Sequence, residues 1–580
     1  MRVRYLVLII LPLLVGISTF GIYIIEGYGS SPFVSLFDSL WWTVVTFTTV
    51  GYGDMSPSTV EGKSFGILIL VLGVVINSII ISLVSNWFFA LRSGKEQGLK
   101  DVKMEDHIII CSDSPVFIYS ILFENKSFVA RNKAVIVTPL EKHPLLGSEF
   151  ESVPWVHGDA SKIDILNKAS SHEALIGYVA YEDDADTVMT VMQLEVNSDN
   201  GAIQTMARYQ IHDYKAHLKN VGCDYAIKTF DVYVPLMVQA CLHQGAPVWV
   251  RELILRESST PILYNKELRD QYIGLTWLSY IKEVKSQFGE IPFGYVDEED
   301  NLHVNPPAQD YLQKGDQILT MVPAKDRPKG DMEWDAIEIL GSEEIPKDGH
   351  IVICSDEYPF IRRILIEMGL AGIKGEIVVL SETYPMENLA DYPQISWIQA
   401  SSFSDKGINL ANAKNARIAF IDHKRDSHTL MAVLRLENLT GGSIFTIASY
   451  REPDFDERLI DVGCDYCINV DELIAPILSQ NAVHHGVGAL IEQIISHKPG
   501  SQSLFILTLL NGWEDRTWDQ ALDELKGEND YLPIGLIKTG GNKMIVNPHS
   551  NLSVKTGDRM ILITKSDERF DPELFYEPKV

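Results

Sequence analysis

An internal repeat constrains the fold more than any other feature of the sequence. The segment His107-Ile-Ile-Ile-Cys-Ser-Asp113 returns as His350-Ile-Val-Ile-Cys-Ser-Asp356. Further segments return at an offset of 241 to 243 residues, among them Val221-Gly-Cys-Asp-Tyr225 as Val462-Gly-Cys-Asp-Tyr466 and Val304-Asn-Pro as Val546-Asn-Pro. One duplicated unit therefore occupies most of the chain after residue 106, and both copies must fold alike.

Within each copy, short β-branched runs alternate with helical patterns. In the first copy, strands are predicted at 107–111, 134–137, 155–157, 176–180, 202–207 and 225–227. This alternation is typical of an α/β doubly wound (Rossmann-like) parallel sheet. We predict a first domain at 107–325 (N-lobe 107–232, crossover 233–257, smaller α+β C-lobe 258–325) and a second at 350–566 (N-lobe 350–472, crossover 473–498, C-lobe 499–566). Linkers at 93–106 and 326–349 and a tail at 567–580 complete this division.

The N-terminal 92 residues are apolar and differ from the repeat. Two runs, 5–25 and 65–91, are long enough to cross a hydrocarbon core of about 30 Å. The first run is not interpreted as a signal peptide, because no small-residue cleavage site follows it. Basic residues lie at the outer ends of both runs, which predicts cytoplasmic N- and C-termini: Arg2, Arg4, Arg92 and Lys95. We therefore predict a transmembrane α-helical pore domain at 1–92 with two spans.

Between the two apolar runs lies Thr49-Val-Gly-Tyr-Gly53, preceded by a predicted short helix at 37–47. A dehydrated cation needs oxygens in place of its water shell, and glycine allows backbone conformations that turn successive carbonyls toward one axis. The stretch resembles the TVGYG filter of potassium channels. We predict a re-entrant pore loop whose selectivity filter comprises Thr49, Val50, Gly51, Tyr52 and Gly53.

Three residues of the second apolar run are candidates for the gate. Gly73 either packs helix against helix or serves as a hinge. Asn77 and Ser78 follow one turn later, and we expect them to face an aqueous cavity, because polar groups are costly in hydrocarbon.

The filter, the two spans and the duplicated unit together resemble two-transmembrane potassium channels with two tandem RCK (regulator of potassium conductance, TrkA-N/TrkA-C-like) domains. The chain is similar to the calcium-gated archaeal channel and to the gating ring of large-conductance calcium-activated channels. The resemblance implies a homotetramer in the lipid membrane of a prokaryotic-type cell, potassium ions in the filter, and a cytosolic gating ring. The ligand classes that it implies are calcium and an adenine nucleotide (ADP or ATP) or NAD.

A nucleotide would bind beyond the C-terminal ends of the parallel strands. The candidate residues there are Ser112, Asp113, Ser114, Thr138, Asp159 and Ala160. The loop after the first strand lacks all three glycines of G-x-G-x-x-G in both copies, and Asp113 or Asp356 would repel a phosphate. These features argue against the usual nucleotide pose.

A calcium site requires several converging oxygens. Two carboxylates that the archaeal relative uses correspond here to Thr205 and Ala207, so that site is predicted to be absent. The best acidic alternative is the run Glu182, Asp183 and Asp184, which follows a predicted strand; a solvated turn is the competing interpretation.

Composition excludes some classes of function. With 49 basic and 78 acidic residues, the net charge of −29 argues against a nucleic-acid partner. The six cysteines are scattered, and Cys464 and Cys467 are interpreted as strand residues rather than a redox or metal site. Two alternatives stay open: a constitutively open potassium channel whose ring is only structural, and a membrane-tethered NAD-dependent oxidoreductase. No catalytic constellation is recognisable, so we predict that the chain is not an enzyme.

Overall fold

The computed structural model describes residues 2–27, 32–96, 98, 100–198, 203–211, 213–243, 245–255, 262–323, 336–338, 348–383, 395–510, 512–513, 516–539 and 543–566. The side chains of 2–11 and most of those of 76–97 lie outside this description. The chain forms two compact units, residues 1–100 and 101–580.

The first unit is helical, with α1 at Arg2–Glu26, α2 at Leu36–Phe47 and α3 at Val60–Glu96. The short helix predicted at 37–47 is found as α2. It begins with a capping box, in which the Ser35 hydroxyl accepts from the Asp38 N–H at 3.1 Å and the Ser35 N–H donates to the Asp38 carboxylate at 2.9 Å. Within the described part of the chain, none of the helices combines the length and the hydropathy that a membrane crossing requires.

The second unit opens with a six-stranded parallel sheet, the first N-lobe. Its strands are β1 His107–Ser112, β2 Ala134–Thr138, β3 Trp155–His157, β4 Ala174–Ala180, β5 Gln204–Tyr209 and β6 Tyr225–Lys228. Its helices are α4 Pro115–Glu124, α5 Lys126–Ala130, α6 Ile163–Lys168, α7 Asp184–Asn197 and α8 Tyr214–Asn220. The order β3-β2-β1-β4-β5-β6 is that of a doubly wound fold, as predicted.

Two crossover helices then lead to a smaller antiparallel lobe. The crossover helices are α9 Thr229–Leu242 and α10 Ala246–Ile254. The first C-lobe consists of β7 Ile262–Glu267, α11 Trp277–Phe288, β8 Ile291–Val296, β9 Leu302–Val304 and β10 Gln317–Val322, with sheet order β7-β10-β8-β9. A short strand, β11 Ala336–Glu338, follows.

The second N-lobe repeats the first. Its strands are β12 His350–Cys354, β13 Ile377–Ser381, β14 Ile395–Gln399, β15 Ala416–Ile421, β16 Phe445–Tyr450 and β17 Tyr466–Asn469. Its helices are α12 Tyr358–Leu370, α13 Asp405–Leu410, α14 Asp426–Thr440 and α15 Asp456–Asp461. The sheet order β14-β13-β12-β15-β16-β17 matches that of the first N-lobe, strand for strand.

The second crossover and C-lobe complete the unit. The helices are α16 Val470–Val483, α17 Val487–Ile495 and α18 Trp518–Asn529, and the strands are β18 Gln502–Thr508, β19 Leu532–Ile537, β20 Lys543–Ile545 and β21 Arg559–Lys565. The five-stranded sheet has the order β11-β20-β19-β21-β18. The segment between the copies thus adds an edge strand to the second C-lobe, pairing Ala336 with Ile545.

The two copies pack on each other around an approximate two-fold relation. Helix α4 of the first copy packs on α16 of the second, and α12 of the second packs on α9 of the first. One apolar cluster runs through both copies and includes Trp249, Tyr233, Phe360 and Ile477. Part of each copy's core is therefore shared with the other, while smaller clusters belong to one copy alone.

Candidate functional site

The predicted filter loop has an alternating backbone. Thr49, Gly51 and Gly53 have φ of 59°, 58° and 73°, while Val50 and Tyr52 between them are not in the positive region. Glycine adopts this conformation without steric cost, whereas at Thr49 it is strained. Alternation of this kind turns successive carbonyls in one direction, which is the arrangement that a row of cation sites needs.

Contacts on both sides of the loop hold this backbone in place. The Trp41 indole N–H donates to the Asp54 carboxylate at 3.0 Å, and its ring stacks on that of Tyr52 with centroids 5.9 Å apart. At the end of α1, the Glu26 carboxylate accepts from the N–H and hydroxyl groups of Ser58 and Thr59, at 2.6 to 3.1 Å. Sequence reasoning missed Glu26 and Asp54. The signal for Glu26 was a single acid that ends an apolar run and precedes a Ser-Thr pair by about thirty residues.

The gate candidates lie on α3, which continues through all three positions. A Cβ on Gly73 would come within 3.2 Å of the Phe47 ring, so Gly73 lets α3 approach the end of α2. The Ser78 hydroxyl donates to the Val74 carbonyl at 2.8 Å, within the same helix. The side chain of Asn77 lies outside the described residues.

In the first N-lobe, residues predicted to bind a nucleotide make hydrogen bonds to backbone groups of the loops that carry them. The Ser112 hydroxyl accepts from the Ser114 N–H at 3.0 Å, and the Ser114 hydroxyl caps α4. Asp113 accepts from the Glu182 N–H at 3.1 Å, and burial raises its pKa. At the far side of the edge, Asp159 accepts from the backbone and hydroxyl of Ser161 at 2.9 and 2.6 Å.

The remaining two candidates of this edge are buried. Thr138 and Ala160 are fully buried. Tyr181, which directly follows β4, is 5% exposed and belongs to the same apolar cluster as Ala160. Its position directly after the fourth strand was the signal available in the sequence. The predicted residues therefore lie at one edge of the sheet, and Tyr181 lies at the same edge.

In the second N-lobe, a histidine takes the corresponding place. The Ser402 hydroxyl lies 2.8 Å from Nε2 of His423, and Nδ1 of His423 lies 3.6 Å from the Asp356 carboxylate. The nearby imidazole of His423 lowers the pKa of Asp356. Ser402 is 1% exposed and His423 is 2% exposed, so this chain of polar groups fills the edge rather than facing solvent.

The acidic run after β4 is not brought together into one site. Glu182 pairs with Lys424 of the second copy, and Asp183 caps α7 by accepting from the Ala185 N–H at 2.8 Å. Asp184 is buried and accepts from the backbone N–H groups of Gln210 and Ile211 at 2.6 to 3.0 Å. Among the described residues, no group of three or more His, Cys, Asp or Glu side chains is arranged to hold a metal ion.

Asp184 has an equivalent in the second copy. Asp426 accepts from the backbone N–H groups of Arg451 and Glu452, at 2.9 and 2.6 Å. The same carboxylate thus joins the fourth and fifth strand ends in both copies, which is a structural role.

A cavity of about 470 Å³ lies where the two N-lobes face each other. The first copy contributes Asp113, Glu182 and Arg208, and the second contributes Lys424, Arg451 and Asp471. Arg208 and Asp471, both buried, form an ion pair across the copies. The mixture of charges gives polar ligands several partners, although each cation already has an acid close by.

Comparison with known proteins agrees with this division of the chain. Residues 9–90 match the family model described as "Ion channel", and residues 126–229 match the TrkA-N domain model. The chain carries an ion-channel domain and a TrkA-N domain. The first lies in the unit that holds the filter loop, and the second covers most of the first N-lobe.

Relatives and solved structures extend the comparison. The voltage-gated potassium channel of Aeropyrum pernix is 43% identical over 81 residues, which is 14% of this chain and 28% of that protein. The calcium-gated potassium channel TvoK of Thermoplasma volcanium is 23% identical over 219 residues, 36% of this chain and 61% of that protein. The chain thus spans less than two thirds of the curated relatives that it matches.

Among solved structures, the human SLO3 gating ring is similar in fold. It aligns with a TM-score of 0.58 at 13% identity, covering 80% of this chain and 100% of the gating-ring chain. At this level of identity the similarity establishes the fold of the paired TrkA-N-type units and nothing further.

Proposed function

We propose that the chain is the subunit of a potassium-selective channel whose opening is controlled by its duplicated cytosolic domains. The observation that carries this proposal is the alternating backbone of the TVGYG loop after a capped helix. That combination offers stacked carbonyl oxygens at a fixed spacing, which is what replaces the hydration shell of potassium. The ion-channel domain match over the same residues supports it.

A single copy cannot enclose an ion. Val50 and Tyr52 are 53% and 66% exposed in the isolated chain. A potassium filter needs a ring of four such loops, so the functional unit is a homotetramer. The exposed apolar side chains of α2 and α3 support burial against other copies or lipid; Phe37, Ile67 and Val71 are 71%, 64% and 59% exposed.

The membrane arrangement follows from the sequence. Helices α1 and α3 contain the two apolar runs and are the proposed spans, with α2 as the pore helix that re-enters between them. The basic residues that flank the runs place both termini in the cytoplasm of a prokaryotic-type cell. In this arrangement Gly73 is a helix-packing residue or a hinge of the gate, and residues 93–106 connect the pore to the cytosolic domains.

The paired domains form the proposed gating ring. A ligand that binds the ring better in one state shifts the closed-to-open equilibrium by its difference in binding free energy. Calcium, adenine nucleotides and NAD are the ligand classes to test, and the name of TvoK as a calcium-gated channel supports the first. Tyr181 and His423 are buried at equivalent places near the end of the fourth strand in the two N-lobes, and side chains packed there disfavour a nucleotide in the usual pose.

A non-enzymatic role fits the polar chain of the second N-lobe. Ser402, His423 and Asp356 have the residue types of a hydrolase triad. Ser402 is 1% exposed, however, so a substrate has no access to its hydroxyl. The same burial, and the loss of the glycine loop, disfavour the oxidoreductase alternative.

Recording from the purified full chain in a planar bilayer tests the proposal. We expect a reversal potential set by potassium rather than sodium, and an open probability that changes with a ligand added to the cytosolic side. Gly53→Ala should abolish the selectivity, because a side chain at a φ of 73° strains the filter backbone.

Gly372→Ala is the matched control for this experiment. Its φ of 71° is nearly that of Gly53, and a Cβ at either glycine meets nothing within 4 Å. The local strain is therefore the same, but Gly372 lies in the second N-lobe, and selectivity should be unchanged. Retained potassium selectivity in Gly53→Ala would contradict the filter assignment, and a current that no ligand changes would favour the constitutively open alternative.

A further inference from the structure

The two copies form a pair of equivalent clefts that differ in content. In each, the crossover helices of one copy lie against the end of the last N-lobe strand of the other. The filled cleft is defined by Lys215, Tyr225, Asp231, Gly488 and Glu492. The open cleft is defined by the equivalent residues of the other copy, each 241 positions away, in the same order: Asp456, Tyr466, Glu472, Pro247 and Arg251.

In the filled cleft, a tyrosine of the first copy occupies the space. The Tyr225 hydroxyl donates to the Glu492 carboxylate at 2.6 Å. A Cβ on Gly488 would overlap the Tyr225 hydroxyl, so the ring fits only because this position is glycine. The cleft is closed by its own side chains.

In the open cleft, both of these conditions are absent. Pro247 stands where the filled cleft has Gly488, so the glycine that makes room for the tyrosine hydroxyl in the filled cleft is missing here. Arg251 stands in place of Glu492 and cannot accept a hydrogen bond from Tyr466. The result is a cavity of about 560 Å³, within the range of sites for small molecules.

The charges of the open cleft are also inverted. Arg251 replaces an acid, and Asp456 replaces a lysine. Arg251, Asp456 and Glu472 all line the cavity, and no ion pair of any of them is found within the described part of the chain. Apolar residues line the same cavity beside the charges: Leu236, Pro247 and Leu473 are buried.

We propose that the open cleft binds a small zwitterion with an apolar or aromatic body, the chemistry of a free amino acid. The guanidinium of Arg251 suits a carboxylate, which it can hold through two parallel hydrogen bonds. Asp456 and Glu472 suit an ammonium group, and the apolar walls suit the side chain between them.

A ligand with only one charge fits less well. An anionic ligand can pair with Arg251 but offers no positive group to the carboxylates of Asp456 and Glu472. A cationic ligand can pair with these carboxylates but offers no negative group to Arg251. A zwitterion satisfies both signs at once. Bound there, it connects α10 of the first copy with β17 and α16 of the second, and so favours arrangements in which the two copies stay close.

Isothermal titration calorimetry on the full chain in detergent tests this proposal, with L-phenylalanine as the probe. Phenethylamine lacks its carboxylate, and 3-phenylpropanoate lacks its ammonium group. We expect saturable binding of L-phenylalanine and binding at least about tenfold weaker for the other two, because each lacks one of the two charged groups that the cleft can pair. Equal binding of phenethylamine and L-phenylalanine, or no saturable heat at millimolar L-phenylalanine, overturns the proposal.

Variants locate the site. Arg251→Gln and Glu472→Gln should each weaken L-phenylalanine binding by about tenfold or more. Lys215→Gln, at the position in the filled cleft that corresponds to Asp456, is the matched control and should leave binding within about twofold. Binding that is unchanged in both cavity variants contradicts the assignment.

A double variant tests the cause of the opening. Pro247→Gly with Arg251→Glu gives the open cleft the residues that the filled cleft uses around Tyr225. We expect L-phenylalanine binding to be lost while the thermal midpoint is kept or raised, since Tyr466 can then close the cavity. Retained binding in this variant overturns the proposal. None of these measurements needs an ionic current, so they stand apart from the proposed channel function.

Discussion

The two interfaces between the copies differ in symmetry. Where the C-lobes meet, the contacts are reciprocal: Lys285 donates to Asn547 at 2.6 Å, and Lys526 donates to Asn305 at 2.7 Å. Each asparagine also donates a hydrogen bond back to the copy that carries the lysine. Asn547 donates to the Gly289 carbonyl at 3.0 Å, and Asn305 donates to the Asp530 carbonyl at 2.8 Å. Both carbonyls belong to left-handed residues that end α11 and α18.

Where the crossovers meet the N-lobes, the helices pack reciprocally, but two polar contacts are one-sided. Arg208 pairs with Asp471 across the copies, but the residue 241 positions after Arg208 is Ser449, which bonds within its own copy to Asp422. Tyr225 reaches Glu492, whereas its counterpart Tyr466 faces the open cleft.

The difference shows how a duplicated unit can keep one interface and change another. A reciprocal interface fixes how the two copies pack on each other, because every contact occurs twice and a change in the packing would disturb both. A one-sided interface lets the two clefts have different contents and different chemistry. We infer that the C-lobe contacts hold the pair together and that the N-lobe side is free to respond to ligands.

The largest effect should come from breaking the reciprocal contacts. Asn547→Leu removes the acceptor of the buried Lys285 ammonium and the donor to the Gly289 carbonyl. We expect the free energy of unfolding to fall by about 3 kcal/mol. Asn305→Leu should have the same sign and a similar size, because its contacts are equivalent. The shift of the thermal midpoint of the purified full chain measures both.

Asn220→Leu provides the control for this pair. Asn220 ends α8 and is exposed, so its change should stay within about 0.5 kcal/mol. Unequal effects of Asn547→Leu and Asn305→Leu would show that the interface is not reciprocal in energy, whatever its geometry.

A smaller effect should distinguish the two clefts. Tyr225→Phe removes the hydroxyl that donates to the Glu492 carboxylate at 2.6 Å. Burial already raises the pKa of Glu492, so the loss of this hydrogen bond leaves the carboxylate less stabilised still. We expect a loss of about 1 to 2 kcal/mol in the free energy of unfolding. Tyr466→Phe, the same change in the open cleft, should cost less than about 0.5 kcal/mol. Chemical denaturation of each variant beside the parent checks the difference, and equal losses would argue against a filled and an open cleft.

Much of the fold could be predicted because it depends on local patterns. The alternation of strands and helices gave both parallel sheets, and the repeat gave the second copy from the first. The helix at 37–47 was found within one residue of its predicted start. The strand predicted at 202–207 instead runs from Gln204 to Tyr209, since Arg208 and Tyr209, beyond the apolar run, also pair with β6.

Other features depend on contacts between segments that are far apart in the chain. Arg208 and Asp471 are 263 residues apart, and no pattern around either predicts their pairing. The candidate residues do lie at one edge of the sheet, but Tyr181 and His423, which are buried at the same edge, were missed. A single aromatic residue after a strand has no distinctive spacing, and its orientation is decided by packing.

A pH-dependent effect should come from one lysine of the reciprocal interface. Burial lowers the pKa of Lys526 from its usual 10.5 to about 8. Between these two values the unfolded chain binds more protons than the folded chain at this position, so stability rises with pH. The neutral amine can still donate to Asn305 and to the Pro306 carbonyl, both 2.7 Å away, which is why losing the proton does not break the contact.

Lys526→Met removes this titration. We expect the stability of the parent relative to Lys526→Met to increase by about 1 kcal/mol per pH unit from pH 8 upward, and to be flat below pH 8. Lys282→Met serves as the control, since Lys282 is half exposed beside Asp523 and gains little from burial. Thermal midpoints recorded in steps from pH 7 to about pH 10 give the slope. A relative stability that stays flat or falls over this range would mean that Lys526 keeps its proton in the folded chain, and that its three oxygen partners outweigh its burial.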